Sequence, residues 1–380
     1  MISIHRTHQV TDDFPPPLRE AWQSSRTLLS ELAKRLNVPT DVASQTLFLM
    51  PQSVDDPREG MDEFAKQMAT DEEVTYITSP SKDGKTSAAI AVPARNSTPK
   101  NCHLALFIDS HSRLIAWWLT TVWRSLDLAQ STWELVDGDR VISAAACSRA
   151  LLETSAAFWC EAKELAVIWG EIKLRGITTE SALKDWRDLS NWVWETTYGA
   201  KFNSLAPDLA KQWANLPRIN VLTYIEKLAK SCPDMDLQTH YQWLCNTVHP
   251  SCGGTFAMST PIVSHTSSTH AFAWFAPFPT HTESTKGKAS ERRVQEAIAK
   301  SAIVAVRVMV QTLDDSLRVI DDLGLTTGAP KMATFHYWRR LQVTKKQLCP
   351  CRSGLTVEKC GHRWKEPSAS ITSSFPLGPF

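Results

Sequence analysis

The sequence predicts a mainly α fold: a multi-helix bundle with a small β-hairpin in its N-terminal part and a cysteine-rich module near its C-terminus. The helices are predicted from apolar residues that recur with a period near 3.6, the repeat of an α-helix. The hairpin is predicted from one alternating stretch, and the module from three closely spaced cysteines and a histidine. Hydrophobic residues make up 43% of the 380 residues, which is enough for a sizeable core.

The N-terminal part combines helical and extended patterns. A first helix is expected over residues 15–36 because apolar residues recur there at helical spacing, and it should end before Pro39, which disfavours a helical conformation in the residue before it. A short helix is expected over residues 62–68. Two β-type runs between Val74 and Val92 flank Asp83-Gly84, which is a tight-turn signal, and together they predict the hairpin.

Helical patterns dominate the middle of the chain. Amphipathic stretches occur at 103–128, 139–169, 180–197, 221–229 and 237–248. Residues 251–290 are rich in Ser, Thr, Pro and His, and we interpret them as a long loop, which in compact domains is usually functional or disordered. The last long helix is expected to begin at Ser290, run to Leu323 and end at Gly324.

These patterns divide the chain into five parts. They are an N-terminal helical region with the hairpin (1–100), a helical bundle domain (101–325), a basic linker with a short helix (326–348), the cysteine-rich module (349–365) and a flexible tail (366–380).

The distribution of charge and cysteine limits the classes of partner and compartment. The net charge is +1, so no overall field favours nucleic acid or membranes. Nine Lys and Arg residues but only one carboxylate, Glu358, lie between Lys331 and Lys365, so this segment is either a docking surface or a solvated linker face. The six other cysteines lack paired spacing and no long apolar segment is present, which predicts a cytoplasmic protein without a membrane span. The oligomeric state stays open, a homodimer included.

The C-terminal module contains the donors of a closed tetrahedral Zn²⁺ site, namely Cys349, Cys351, Cys360 and His362. In an extended backbone alternate side chains face the same side, so Cys349 and Cys351 are expected to point together. Ser353-Gly354 supplies a turn that would return Cys360 towards them. For the fourth ligand, His336, a water molecule or an outside group are the alternatives to His362.

This module resembles the SEC-C motif, a small zinc-binding unit found at the end of the bacterial preprotein translocase motor ATPase and appended to many other proteins. The family pattern is matched at Cys349, Cys351, Ser353, Gly354, Lys359 and Cys360. Arg352 stands where glycine is usual, and Gly361 displaces the histidine by one residue to His362. The resemblance implies zinc binding and docking of a protein or nucleic-acid partner, and it implies no catalysis.

Two stretches of the helical body carry ionisable residues among apolar ones. Arg149 and Glu153 are spaced as an i, i+4 pair, and His249 follows a helical pattern that includes Tyr241. Buried ionisable groups need partners, so these residues predict either a structural network or a cleft in which Arg149, Glu153 and His249 meet, with Tyr241 or Asn246 alongside. In such a cleft the histidine would move a proton and the arginine would hold a phosphate. These two groups can cleave RNA without a metal ion.

The same stretches loosely resemble uncharacterised bacterial helical domains that have an Arg-x-x-x-Glu helix and a later Tyr…His-Pro helix. Those domains are similar to HEPN bundles, many of which are toxin-like or phage-defence ribonucleases. The HEPN signature, an Arg followed by four to six residues and then a His on one helix, is absent around His249. The first functional hypothesis is therefore a non-enzymatic zinc-binding protein whose tail docks a partner. The alternative is a HEPN-like, metal-independent ribonuclease in which the tail is a targeting element.

Other patterns add little to these hypotheses. Asp314-Asp315 and Asp321-Asp322 share a helix face, and we interpret them as a solvated acidic surface rather than a Mg²⁺ site. No phosphate-binding loop, dinucleotide fingerprint, nucleophile elbow or metalloprotease motif occurs. The sequence thus gives no support for nucleotide-driven chemistry.

Overall fold

A computed structural model describes most of the helical body. The described residues are 10–35, 74–80, 87–93, 99–138, 140–175, 179–198, 219–249, 259–266, 271–277, 285–327, 346, 348 and 354–360. The expected helix at 62–68, almost all of the expected linker helix in 326–348 and the tail 366–380 lie outside these residues.

The described part is mostly helical, which confirms the mainly α prediction. Its helices are α1 (Pro16–Arg35), α2 (Pro99–Asp137), α3 (Val141–Arg175), α4 (Thr179–Tyr198), α5 (Val221–Ser231), α6 (Leu237–Val248), α7 (Thr285–Thr327) and the single turn α8 (Val357–Cys360). Short 3₁₀ turns at Val10–Asp13 and Pro233–Met235 precede α1 and α6. In this part of the chain, no helix is long and apolar enough to cross a membrane.

The long helices α2, α3 and α7 form the centre of the bundle, and each packs against the other two. Helix α4 packs mainly on α2, α5 and α6 pack on α3, and α1 packs on α7. Aromatic contacts join these layers. The ring of Trp117 on α2 lies 5.0 Å, between centroids, from both Phe158 on α3 and Trp192 on α4. Each such pair adds about 0.5–1.5 kcal/mol to the free energy gained from burial.

Several helices extend past their expected ends, and in α2 and α7 tertiary burial outweighs local propensity. Gly324 does not end α7, which continues to Thr327. Glycine disfavours a helix by about 1 kcal/mol, but Leu323 and Thr326 are buried on either side of it, and their packing offsets that cost. Helix α2 likewise runs to Asp137, because Trp133 and Val136 of its last turns are also buried.

The chain contains two antiparallel ribbons among the described residues. Strand β1 (Val74–Pro80) pairs with β2 (Ser87–Pro93), and β2 lies against α2. Strand β3 (Ser259–Thr266) pairs with β4 (Ala271–Pro277). The second ribbon and the start of α7 at Thr285 correct the interpretation of 251–290 as a long loop or irregular arm. Its strands contain aromatic and β-branched residues, which favour extended backbone and outweigh the loop-like overall composition.

A buried ion pair links α3 to α7 and corrects the interpretation of Asp321-Asp322 as a solvated surface. Both aspartates are buried. Asp322 Oδ2 accepts hydrogen bonds from Lys173 Nζ at 2.8 Å and from Trp169 Nε1 at 2.6 Å. The sequence spacing is compatible with a solvated face, but the packing of α7 on α3 buries this face in the core.

His111 on α2 makes the free energy of unfolding depend on pH. Its side chain is fully buried, and this desolvation lowers its pKa from 6.5 to about 4. The unfolded chain therefore binds more protons below pH 6.5, so the stability present above that pH is lost as the pH falls towards 4. We expect His111→Gln to remove about 2 kcal/mol of the destabilisation that the unmutated protein shows between pH 7 and pH 5. Urea unfolding of both proteins at the two pH values measures this, and parallel pH profiles would contradict it.

Candidate functional site

Helices α3 and α6 position the residues of the candidate site. Arg149 and Glu153 lie one turn apart on α3. Helix α6 carries Tyr241 and ends at Val248, so His249 is its C-cap residue in extended conformation. Leu237, Tyr241 and Leu244 are buried at helical spacing, and they hold one face of α6 against the bundle. The packing of α6 on α3 brings the four polar residues together.

Arg149 is the centre of this cluster. Its Nε donates a hydrogen bond to Glu153 Oε1 at 2.8 Å, and its Nη2 lies 3.4 Å from the hydroxyl oxygen of Tyr241. Its Nη1 lies 3.4 Å from His249 Nε2, across 100 residues of sequence. Tyr241 in turn donates its hydroxyl proton to Glu153 Oε1 at 2.8 Å. We call these four residues the Arg149 cluster.

Burial and neighbouring groups shift the pKa of two members of the Arg149 cluster, Arg149 and Tyr241. Burial opposes the charge of Arg149, but its hydrogen bond to Glu153 and the electrostatic effects of Cys245 and Glu153 outweigh burial and raise the arginine pKa. Burial and the hydrogen bond to Glu153 raise the pKa of Tyr241, so its hydroxyl stays protonated at neutral pH. The cluster thus presents a permanent cation and a neutral phenol.

The contact between Arg149 and His249 has a chemical consequence for the imidazole. A guanidinium has N–H donors only and no acceptor. A hydrogen bond at this 3.4 Å contact would therefore use His249 Nε2 as the acceptor. The arrangement places an imidazole nitrogen beside a guanidinium that can hold an anion.

A groove of about 300 Å³ between α5 and α6 borders the Arg149 cluster. Helix α5 contributes Leu222, Ile225 and Glu226 to it. Helix α6 contributes residues at spacings of three and four, which are Gln238, Tyr241, Gln242, Cys245 and Asn246. Tyr241 belongs to both the groove and the cluster. We call this feature the α5–α6 groove.

Most of the site residues that the sequence predicts in the helical body lie together, as expected. Arg149, Glu153 and His249 meet, and Tyr241 joins them. Asn246 lines the α5–α6 groove. Sequence reasoning misses Gln238 and Gln242 as site residues. Their i, i+4 spacing, continued by Asn246, is the signal that could have found them.

The described part of the C-terminal module contains one expected zinc ligand. Cys360 ends α8 and is buried. Leu348 pairs antiparallel with Thr356, and Gly354 between them has φ +74°, a conformation that glycine adopts without strain. Cys349, Cys351 and His362 lie outside the described residues. Within the described ranges alone, no group of three or more His, Cys, Asp or Glu side chains could hold a metal ion.

Comparison with known proteins gives no relative. No protein-family model matches this chain, and neither a curated protein nor a solved structure matches it. The geometry of the Arg149 cluster and of the C-terminal turn is therefore the basis for a functional proposal.

Proposed function

We propose that this chain is a metal-independent ribonuclease that acts at the Arg149 cluster. One observation carries the proposal: Arg149 lies within 3.4 Å of His249 Nε2 while Glu153 fixes its Nε at 2.8 Å. A proton acceptor and a phosphate-binding cation are thereby side by side. The two stretches also loosely resemble uncharacterised helical domains that are similar to HEPN bundles, but the Arg and His of this chain lie on two helices and do not form the HEPN signature.

The proposed reaction uses the ribose 2′-hydroxyl of the substrate as nucleophile. As Arg149 Nη1 turns from His249 Nε2 to the phosphate, the lone pair of Nε2 takes the proton of that hydroxyl and its oxygen attacks the neighbouring phosphorus. The bond between phosphorus and the 5′ oxygen breaks, this oxygen takes a proton from water, and the proton on His249 neutralises the hydroxide left behind. The products are a 2′,3′-cyclic phosphate and a 5′-hydroxyl. Arg149 stabilises the negative charge that builds up on the non-bridging phosphate oxygens.

Glu153 and Tyr241 are positioning residues in this scheme. Glu153 Oε1 accepts hydrogen bonds from both Arg149 and Tyr241, which fixes the plane of the guanidinium. The side chains of Arg149 and Glu153 are about one quarter exposed, so a ligand can reach the cluster from the solvent. Incubation of the purified protein with RNA, compared with the His249→Ala variant, tests the proposal.

A second function is proposed for the C-terminal module, namely binding of Zn²⁺ and docking of a protein or nucleic-acid partner. The reversal of the chain around Gly354 supports it, because Leu348 directly precedes Cys349 and Thr356 lies one turn before Cys360. Burial of Cys360 fits a ligand that faces inward. Three thiolates and an imidazole would form a closed structural site, which fits a docking role.

We expect the purified protein to contain about one Zn²⁺ per chain, since the four donors would form one closed tetrahedral site. Cys360→Ser and Cys351→Ser should each lose most of that metal, because serine does not supply a thiolate. Metal analysis by mass spectrometry after exhaustive dialysis measures the content. Cys147→Ser, a half-buried cysteine of α3, is the matched control and should retain the metal. Zinc-free unmutated protein, or unchanged zinc in both variants, would contradict the assignment.

A further inference from the structure

We infer that the α5–α6 groove is a nucleobase-binding site, occupied by the base of the nucleotide whose phosphate is held by Arg149. This inference builds on the proposed phosphate site at the Arg149 cluster and names the ligand of the surface beside it. It assigns a binding role to Gln238, Gln242 and Asn246, which have no part in the proposed chemistry.

The carboxamides are the first reason. Gln238, Gln242 and Asn246 follow one another at i, i+4 and i+8, so they form a row along one face of α6. Each carboxamide carries both donors and an acceptor. The edges of nucleobases alternate donors and acceptors in the same way, and amide side chains pair with them through two hydrogen bonds.

The shape and apolar lining of the groove are the second reason. Ile225 is buried, and Leu222 leaves 47% of its surface exposed beside it. A flat base needs one apolar surface for its face and polar groups for its edge. Helix α5 supplies the apolar surface and α6 supplies the carboxamides. The volume of about 300 Å³ is sufficient for a single base.

The distribution of charge is the third reason. Glu226 lines the groove, and its carboxylate repels a phosphate while accepting hydrogen bonds from the amino groups of a base. Arg149, which is a permanent cation, does not line the groove but contacts Tyr241, which does. The guanidinium carbon lies 5.5 Å from the centre of the Tyr241 ring. A phosphate at Arg149 and a base beside Tyr241 can therefore belong to the same nucleotide.

Calorimetric titration with nucleoside 3′-monophosphates and with inorganic phosphate tests the site. We expect the full-length protein to bind at least one of these nucleotides about 10-fold more tightly than phosphate. Gln242→Ala should weaken nucleotide binding about 3- to 10-fold, the effect of one or two hydrogen bonds, and leave phosphate binding unchanged. Gln23→Ala, an exposed glutamine of α1 outside the groove, is the matched control and should bind like the unmutated protein.

The outcomes separate this inference from the proposed activity. Equal affinity for nucleotides and phosphate, no measurable nucleotide binding, or full affinity in the Gln242→Ala variant would overturn the base site even if RNA is cleaved. Nucleotide binding that depends on Gln242 without RNA cleavage would uphold the base site and reject the ribonuclease.

Discussion

Replacing His249 with alanine is expected to lower the rate of RNA cleavage by about 10²–10⁴-fold, the usual contribution of a general base. The free energy of unfolding should change little, because the His249 side chain is exposed and its contact with Arg149 is long, at 3.4 Å. The measurement is a time course with a fluorescently labelled single-stranded RNA in the presence of EDTA. Circular dichroism and urea unfolding confirm that the variant is folded.

Two further variants make this test specific. His240→Ala removes another histidine of α6, one that lines a different groove beside Lys300, and it should retain activity. Arg149→Lys keeps the charge but loses the fork that contacts both His249 and Tyr241, so it should lose most of the activity. Cleavage that survives His249→Ala would exclude this active site. Cleavage that EDTA abolishes would exclude the metal-independent reaction.

Replacing Lys173 with methionine is expected to lower the free energy of unfolding by about 3–5 kcal/mol. The variant retains most of the side-chain volume but leaves the carboxylate of Asp322 without its cation. The side chains of Lys173 and Asp322 are only 4% and 3% exposed, so water cannot replace the lost partner. Urea unfolding monitored by tryptophan fluorescence measures the change.

The comparison with an exposed ion pair shows whether burial is the cause. Arg318→Met breaks a pair with Asp315 at 3.7 Å in which the arginine is 57% exposed, and it should cost less than about 1 kcal/mol. The double variant Lys173→Met with Asp322→Leu should recover much of the loss, since no unpaired charge remains. The recovery will be incomplete because Trp169 Nε1 loses its acceptor. A loss below about 1 kcal/mol for Lys173→Met alone would contradict the expected cost of an unpaired buried charge.

The sequence predicted local structure well where the residues of a single helix determine it. Helix α6 spans Leu237–Val248, as its apolar spacing indicates, and Pro250 follows closely. The apolar pattern failed where packing against a distant element determines where a helix ends. Leu323 and Thr326 carry α7 past Gly324 because they pack into the core, and no property of their neighbours in sequence reports that packing.

In the candidate site, too, the sequence predicts the contacts within one helix but not those between helices. The i, i+4 spacing of Arg149 and Glu153 predicts their contact, since both lie on one helix. The contact between Arg149 and His249 depends on how α6 packs on α3, which sequence periodicity does not encode. The same holds for the groove, because its two walls come from α5 and α6, and only the carboxamide row of α6 is visible in the sequence.

The position of Arg149 and Glu153 on α3 would link binding at the proposed site to the whole bundle. Helix α3 contacts α2, α4, α5, α6 and α7. An anion that binds Arg149 in the folded chain and not in the unfolded one would stabilise the folded state by mass action, by about 2.7 kcal/mol at 100 times its dissociation constant. Occupancy of the proposed site would then raise the free energy of unfolding of every helix that packs on α3.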